Sequence, residues 1–220
     1  MAIRIIGGSA RSRRLAAPPG SGFRPTGDKV REALFNILGQ SLDGWRFLDI
    51  CAGSGAVSLE ALSRGAHKVV GLELDAARCR HIRDEAIRMN LAEGLDVRCG
   101  DALDELSRIR NGRESFHAVY LDPPWAEEAL RQKLLDALFA SPPLCQIAAV
   151  EFPALGSPPE TPEGARMIRR ADYGRTSLMF FEPVNGDSNA GIFFGPHPCP
   201  KSELFDPQNL VVAQGAARHI

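Results

Sequence analysis

Two hydrophobic patterns alternate along the middle of the chain. The first is a short segment rich in apolar residues, typical of a strand, at 46–50, 68–73, 95–99, 116–121 and 147–151. The second places apolar residues three and four positions apart and predicts amphipathic helices over about 26–38, 56–65, 76–90, 102–110 and 127–140. Thr26 is the candidate N-terminal cap of the first helix. Two last strands, near 166–171 and 177–181, flank Gly174 and predict a hairpin.

These elements predict an α/β fold. Repeated strand–helix units build a parallel sheet with helices on both of its faces. The closing hairpin adds antiparallel pairing. We therefore expect one domain over residues 26–183, with a mostly parallel sheet of seven strands and a C-terminal antiparallel hairpin.

Both ends of the chain lack this periodicity. The net charge of the chain is −1, but residues 1–34 carry seven basic side chains and only two acidic ones. We expect residues 1–25 to form a basic N-terminal arm whose Arg11, Arg13 and Arg14 bind phosphate groups. A solvated, flexible terminus would have the same composition. Residues 184–220 collect four prolines and predict an irregular, disordered tail.

Composition narrows the class of protein further. No apolar run approaches ~18 residues, and the N-terminus is too short in its apolar part for a signal peptide, so we expect a cytoplasmic protein without a membrane span. The five cysteines are scattered and include no C-x-x-C pair, which favours reduced thiols over disulfides or a zinc site. We expect no metal.

Acidic residues and glycines follow the first three strands, where ligands of parallel sheets bind. Asp49 precedes the turn Gly53-Ser54-Gly55, and its carboxylate suits a cationic ligand such as an ammonium group. Glu73 ends the second strand at a spacing that suits ribose hydroxyls, although Asp75 could cap the next helix instead of binding a ligand. Asp101 after the third strand could accept from an adenine amino group or simply cap a helix.

The segment Asp122-Pro123-Pro124-Trp125 follows the fourth strand and carries the most specific signal. The prolines remove two backbone donors, which leaves the Asp122 carboxylate and the Pro123 carbonyl as acceptors for an amino group. Trp125 offers a flat face for a base, worth ~1–3 kcal/mol in comparable stacking sites. A proline-rich turn with a core tryptophan is the structural alternative.

In their order along the chain, these motifs resemble those of an amino-methyltransferase that uses S-adenosylmethionine. Residues 4–8, 24–36 and 59–66 further resemble the RsmD family, and the resemblance covers about residues 3–182. It implies a class I methyltransferase fold with a Rossmann-like sheet. It also implies methyl transfer to the exocyclic N2 of one guanine in the 16S rRNA of the small ribosomal subunit.

The resemblance also implies roles for individual residues. Cofactor contacts would come from Arg24, Thr26, Asp49, Gly53, Gly55, Glu73, Asp101 and Asp122. Asp122, Pro123 and Trp125 would hold the guanine. Independently of the resemblance, the basic arm predicts that Arg11, Arg13 and Arg14 bind RNA. Two features depart from the family: Trp125 stands where Phe or Tyr is more usual, and the tail after Pro183 matches nothing in it. We expect a monomer.

Two other functions remain compatible with the motifs. A DNA or RNA adenine N6-methyltransferase would use the same Asp-Pro-Pro-aromatic chemistry, although DNA enzymes typically carry an added target-reading domain. A non-catalytic RNA-binding protein could use the same scaffold, but the intact Asp122 motif argues against it.

Overall fold

The computed structural model describes residues 3–20 and 26–184. Arg24 and residues 185–220 lie outside the described residues, so the expectations for that side chain and for nearly all of the tail stay predictions. In the described ranges no helix is long and apolar enough to cross a membrane.

Seven strands form one sheet in the order β3-β2-β1-β4-β5-β7-β6. The strands are β1 (Arg46–Ile50), β2 (Lys68–Glu73), β3 (Leu95–Cys99), β4 (Phe116–Leu121), β5 (Cys145–Pro153), β6 (Ala165–Tyr173) and β7 (Thr176–Pro183). β1 to β5 pair in parallel, whereas β7 pairs antiparallel with β5 and β6. The predicted fold class is confirmed, including the C-terminal hairpin.

Five helices cover the two faces of the sheet. They are α1 (Asp28–Leu38), α2 (Ala56–Ser63), α3 (Ala76–Arg88), α4 (Ala102–Asn111) and α5 (Glu128–Phe139). α1, α2 and α3 share one core with β1, β4, β5 and β7, and α4 and α5 pack on the opposite face. Because β1 to β4 are each followed by a helix that runs back, α2 to α5 begin at the carboxyl edge of the sheet and end near its amino edge.

The start of α1 differs from the prediction. The amides of Val30 and Arg31 both donate to the carbonyl of Gly27, which is the N-terminal cap residue. The prediction that Thr26 caps this helix is therefore wrong. Its hydroxyl points instead to the end of β4 (Leu121), where it contacts Asp122.

The N-terminal segment (residues 3–20) is docked on the domain, unlike the separate arm that the sequence predicts. Ile3, Ile5 and Leu15 are buried in the core beneath α1 and α2. The amides of Ile6 and Gly7 both donate to the fully buried carboxylate of Glu60 in α2, each at 2.7 Å. Apolar burial and these hydrogen bonds join residues 3–15 to the sheet domain.

Candidate active site

A cleft opens at the carboxyl edge of the sheet, between β1 and β4. The strand order reverses at this point, because β2 and β3 lie on one side of β1 and β4 and β5 lie on the other. Parallel α/β sheets bind ligands at such switch points. The lining residues come mainly from the turn after β1 and from the end of β4: Thr26, Asp49, Cys51, Ala52, Gly53, Ser54, Ala56, Val57, Tyr120 and Asp122.

The turn between β1 and α2 depends on its glycines. Gly53 and Gly55 have φ of 57° and 76°, in the left-handed region that disfavours side chains. A Cβ atom on Gly55 would lie 2.8 Å from Cγ2 of Ile82 in α3. Gly55 therefore packs directly against α3, and α2 starts at Ala56.

Glu73 at the end of β2 fastens this turn. Its Oε2 accepts from the Gly53 amide at 2.8 Å, and its Oε1 accepts from the Asp75 amide at 2.9 Å. Each carboxylate oxygen has two lone pairs, so Glu73 can hold the turn and still accept from a ligand hydroxyl. Sequence reasoning predicted a ligand contact here but missed the structural contact.

Asp49 lies at the floor of the cleft and is 1% exposed. Its Oδ2 accepts from the Ser58 hydroxyl at 2.6 Å. Burial raises the pKa of Asp49 to about 6; the Ser58 hydrogen bond opposes this shift, and the nearby Glu73 charge adds to it. Ser58 stands where a dinucleotide fingerprint would have its third glycine, and its role as a partner of Asp49 could not be predicted from that pattern.

The cleft is strongly electronegative. Burial, together with the negative charges of Glu73, Asp122, Asp49 and Asp101, raises the pKa of the Cys51 thiol to about 12. Cys51 therefore stays a neutral thiol and cannot act as a thiolate nucleophile near neutral pH. Four carboxyl groups around one turn favour a cationic ligand.

Asp75 and Asp101 each cap a helix. The Asp75 side chain accepts from the amides of Ala77 and Arg78 at the start of α3, so the capping alternative holds for Asp75. Asp101 accepts from Leu103 and Asp104 at the start of α4 and is exposed. This cap fixes the Asp101 carboxylate at the carboxyl end of β3, on the same edge as Glu73.

Two side chains at the end of β4, Tyr120 and Asp122, line the cleft. The Asp122 amide donates to the Ile50 carbonyl at 3.3 Å, so the β1–β4 pairing continues to this residue. Pro123 is buried and Trp125 is half-buried; among the described residues, neither lines the cleft itself. Tyr120, two residues before Asp122, does line it, and its hydroxyl donates to the buried carboxylate of Glu151 in β5.

Tyr120 and Glu151 are functional candidates that sequence reasoning missed. Both lie inside apolar runs that predict core strands, and nothing in their local pattern distinguishes them from packing residues.

The arginines predicted to bind RNA lie away from the cleft. Arg13 donates to the carbonyls of Met89 and Arg88 at the end of α3, at 2.9 and 2.6 Å. Arg11 and Arg14 are exposed on the same segment. Since α3 starts at the carboxyl edge and has 13 residues, these side chains lie a helix length of about 20 Å from it, toward the amino edge. Arg13 thus has a structural contact that the sequence did not predict.

Comparison with known proteins places the chain in a family. The sequence matches the family described as conserved hypothetical protein 95 over residues 3–182. It is similar to YlbH of Bacillus subtilis, with 32% identity over 183 residues that cover 82% of this chain and 98% of that protein. It is also similar to ribosomal RNA small subunit methyltransferase D of Haemophilus influenzae, with 39% identity over 133 residues that cover 58% of this chain and 68% of that protein.

The solved structures agree with the sequence matches. The structure of the yhhF protein from Escherichia coli has a TM-score of 0.70 and 30% identity, and the match covers 83% of this chain and 98% of that one. The sheet order, the switch-point cleft and these neighbours define a class I methyltransferase fold. Within that class the chain belongs to the RsmD family, as the sequence motifs predicted.

Proposed function

We propose that this protein transfers a methyl group from S-adenosylmethionine to the exocyclic N2 of a guanine in the 16S rRNA of the small ribosomal subunit. The observation that carries the proposal is the placement of Asp122 in the wall of an electronegative cleft at the switch point between β1 and β4. Membership of the RsmD family supports the ribosomal substrate, because the Haemophilus influenzae relative is named for it.

The residues of the cleft fit the proposed cofactor. S-adenosylmethionine supplies an activated methyl group on a cationic sulfonium, together with a cationic ammonium group. Asp49 would attract the ammonium group, and the turn at Gly53 and Gly55 brings backbone close without side chains. Glu73 and Asp101, at the ends of β2 and β3, are the candidates to accept from the ribose hydroxyls and the adenine amino group. Thr26 and Arg24 stay further proposed contacts.

Asp122 and its neighbours would hold the target base. The Asp122 carboxylate accepts from the guanine amino group, which turns the nitrogen lone pair toward the methyl group. The Pro123 carbonyl is the proposed second acceptor, and the Trp125 ring offers a stacking face once the base has left its own stack. Orientation of the reacting atoms supplies most of the rate gain in such a displacement. No step needs a metal ion or a covalent link to the protein.

A transfer assay with labelled cofactor tests the proposal. Small ribosomal subunits from cells that lack this modification should acquire label, and fully modified subunits should acquire none. Isothermal calorimetry with S-adenosylmethionine, in the absence of RNA, separates cofactor binding from transfer. Binding without transfer to any ribosomal RNA would contradict the substrate, whereas failure to bind would contradict the cofactor.

A further inference from the structure

Two buried polar side chains next to the cleft have no task in the reaction proposed above. Tyr120 and Glu151 are each 1% exposed, and the Tyr120 hydroxyl donates to Oε2 of Glu151. The Tyr120 oxygen is 3.5 Å from Oγ1 of Thr26, which is in turn 3.4 Å from Oδ2 of Asp122. A chain of polar contacts therefore runs from β5 through β4 and Thr26 to the proposed catalytic carboxylate.

The direction of hydrogen bonding is fixed at the Glu151 end of this chain. A phenol has one proton, and Tyr120 gives it to Glu151, so the Tyr120 oxygen can only accept from Thr26. Burial raises the pKa of Tyr120 well above its usual value, and the negative charges of Glu151 and Asp122 act in the same direction. The phenol therefore keeps its proton at neutral pH. The single proton of the Thr26 hydroxyl faces two acceptors, Tyr120 and Asp122.

Thr26 is held at this point by its backbone. The guanidinium of Arg31, which is fully buried in α1, donates to the Thr26 carbonyl at 2.8 Å and to the Arg4 carbonyl at 2.7 Å. The 3.4 and 3.5 Å contacts of the Thr26 hydroxyl are long for hydrogen bonds. Contacts of this kind often tighten only when the reacting complex forms.

We propose that Tyr120 and Glu151 are positioning residues for the methyl transfer, and that they act through Thr26 to orient the Asp122 carboxylate toward the target amine. The inference rests on the proposed function, because it presumes the role of Asp122. A buried phenol–carboxylate pair costs desolvation free energy that an apolar pair would not. Tyr120 of this pair lines the cleft, and its oxygen contacts Thr26 there.

The chain of polar contacts from Glu151 to Asp122 also accounts for the proton that the reaction releases. The amine nitrogen forms a bond to the methyl carbon, the carbon–sulfur electron pair goes to sulfur, and the nitrogen then loses one proton. When Asp122 takes this proton, Thr26 can turn its own proton from Asp122 to the Tyr120 oxygen and accept from the new carboxyl O–H. Both charge states of Asp122 then keep Thr26 as a partner.

A double-mutant cycle tests whether Tyr120 acts through Thr26. Tyr120→Phe should lower kcat about tenfold, the effect of one well-placed hydrogen bond, and change cofactor affinity less than about twofold. Thr26→Val should lower kcat similarly, Thr26→Ser should restore it, and the double variant should be no slower than Thr26→Val alone. Additive losses, or normal kcat for Tyr120→Phe, would overturn the inference.

A spectroscopic titration tests the pair without any turnover. The sequence has only two tyrosines, so Tyr173→Phe leaves Tyr120 as the sole phenol. Because Tyr173 lies in β6 at the far edge of the sheet, the Tyr173→Phe variant is also the matched control for activity. Asp49 from β1, Glu151 from β5 and Asp122 from β4 are acids near Tyr120, while Arg31 of α1 binds the Thr26 carbonyl. Near-ultraviolet absorbance should show Tyr120 titrating above its usual pKa, and Glu151→Gln should lower that pKa.

The two experiments separate failure of this inference from failure of the proposed function. If Tyr120 titrates in its ordinary range, or if Glu151→Gln leaves its pKa unchanged, the inference is wrong even when the wild-type protein methylates RNA. If the wild-type protein methylates no RNA, the proposed function is wrong.

Discussion

Asp49 shows how one buried carboxyl group links ligand binding to pH. Its pKa of about 6 in the free protein means that it is ionised at neutral pH and protonated in mild acid. Only the ionised form attracts a cationic ammonium group. The ionised state is unfavourable in the empty cleft because burial opposes it, and a bound cation would relieve that cost.

Cofactor affinity should therefore weaken as the pH falls from 7 to 5. The pKa of a carboxyl group that binds a cation drops in the complex, so affinity declines by up to about tenfold per pH unit below the free-protein pKa. Calorimetry between pH 7 and pH 5 measures how steeply the cofactor affinity depends on pH. Asp49→Asn should bind more weakly at pH 7 and show little dependence on pH. A flat profile for the wild-type protein would rule out Asp49 as the partner of the ammonium group.

Asp122 should act on turnover more than on cofactor binding. Asp122→Ala removes the proposed acceptor of the target amine, and loss of one preorganised electrostatic contact typically costs about 10²–10³ in kcat. Cofactor affinity should change only severalfold. Asp104→Ala is the matched control, because Asp104 is an exposed acid in the first turn of α4. Near-normal kcat for Asp122→Ala would leave the proposed reaction without its central residue.

At the scale of elements, the N-terminal segment is joined to two helices by polar contacts as well as apolar ones. Arg13 satisfies carbonyls at the end of α3, which have no partner within the helix. Arg13→Ala should therefore lower the free energy of unfolding by about 1–2 kcal/mol. Arg14→Ala is the control, because that side chain is exposed and should leave the melting temperature nearly unchanged.

The same variants separate stability from RNA binding. Arg11→Ala with Arg14→Ala should flatten the salt dependence of RNA affinity, because fewer counterions are released on binding. Arg13→Ala should affect melting temperature more than the salt slope. If Arg13→Ala alone flattened the slope without loss of stability, its side chain would have to leave α3 in the complex.

The strands could be predicted better than the contacts between them. β1 to β4 have the predicted bounds. β1, β2 and β4 are buried along nearly their whole length and are mainly apolar, whereas β3, at the edge of the sheet, is only partly buried and alternates apolar and polar residues. β5 extends beyond the prediction at both ends, since pairing with β4 recruits Cys145 and pairing with β7 recruits Phe152 and Pro153. The contacts of Arg13 with the end of α3 join residues about 75 apart in the chain, which no local pattern records.

The candidate site could likewise be predicted only where a residue lies at or just after the carboxyl end of a strand. Asp49, Gly53, Gly55 and Asp122 could be placed from the strand–turn–helix order alone, because the carboxyl ends of parallel strands share an edge. The Thr26 contact with Asp122 joins residues 96 apart in the chain, a long-range feature. Tyr120 and Glu151 needed the β4–β5 register to bring them together.

At the scale of the whole molecule, the topology separates two kinds of surface. The cleft and its acids occupy the carboxyl edge, whereas the exposed Arg11 and Arg14 lie toward the opposite edge. An RNA that reaches both must extend across about 20 Å of protein, the length of α3. A folded substrate such as a ribosomal subunit can present a flipped base and distant phosphates at the same time, which agrees with the proposed function.

The identity of the methylated nucleoside tests the central claim most directly. The acceptors at Asp122 and Pro123 require only a planar amine, so guanine N2, adenine N6 and cytosine N4 compete on chemistry alone. Small ribosomal subunits that lack the modification should be incubated with the protein and S-adenosylmethionine, digested, and analysed by mass spectrometry, with Asp122→Ala as the control. We expect N2-methylguanosine at a single position of 16S rRNA. N6-methyladenosine, or methylation of duplex DNA but not of ribosomal RNA, would contradict the account.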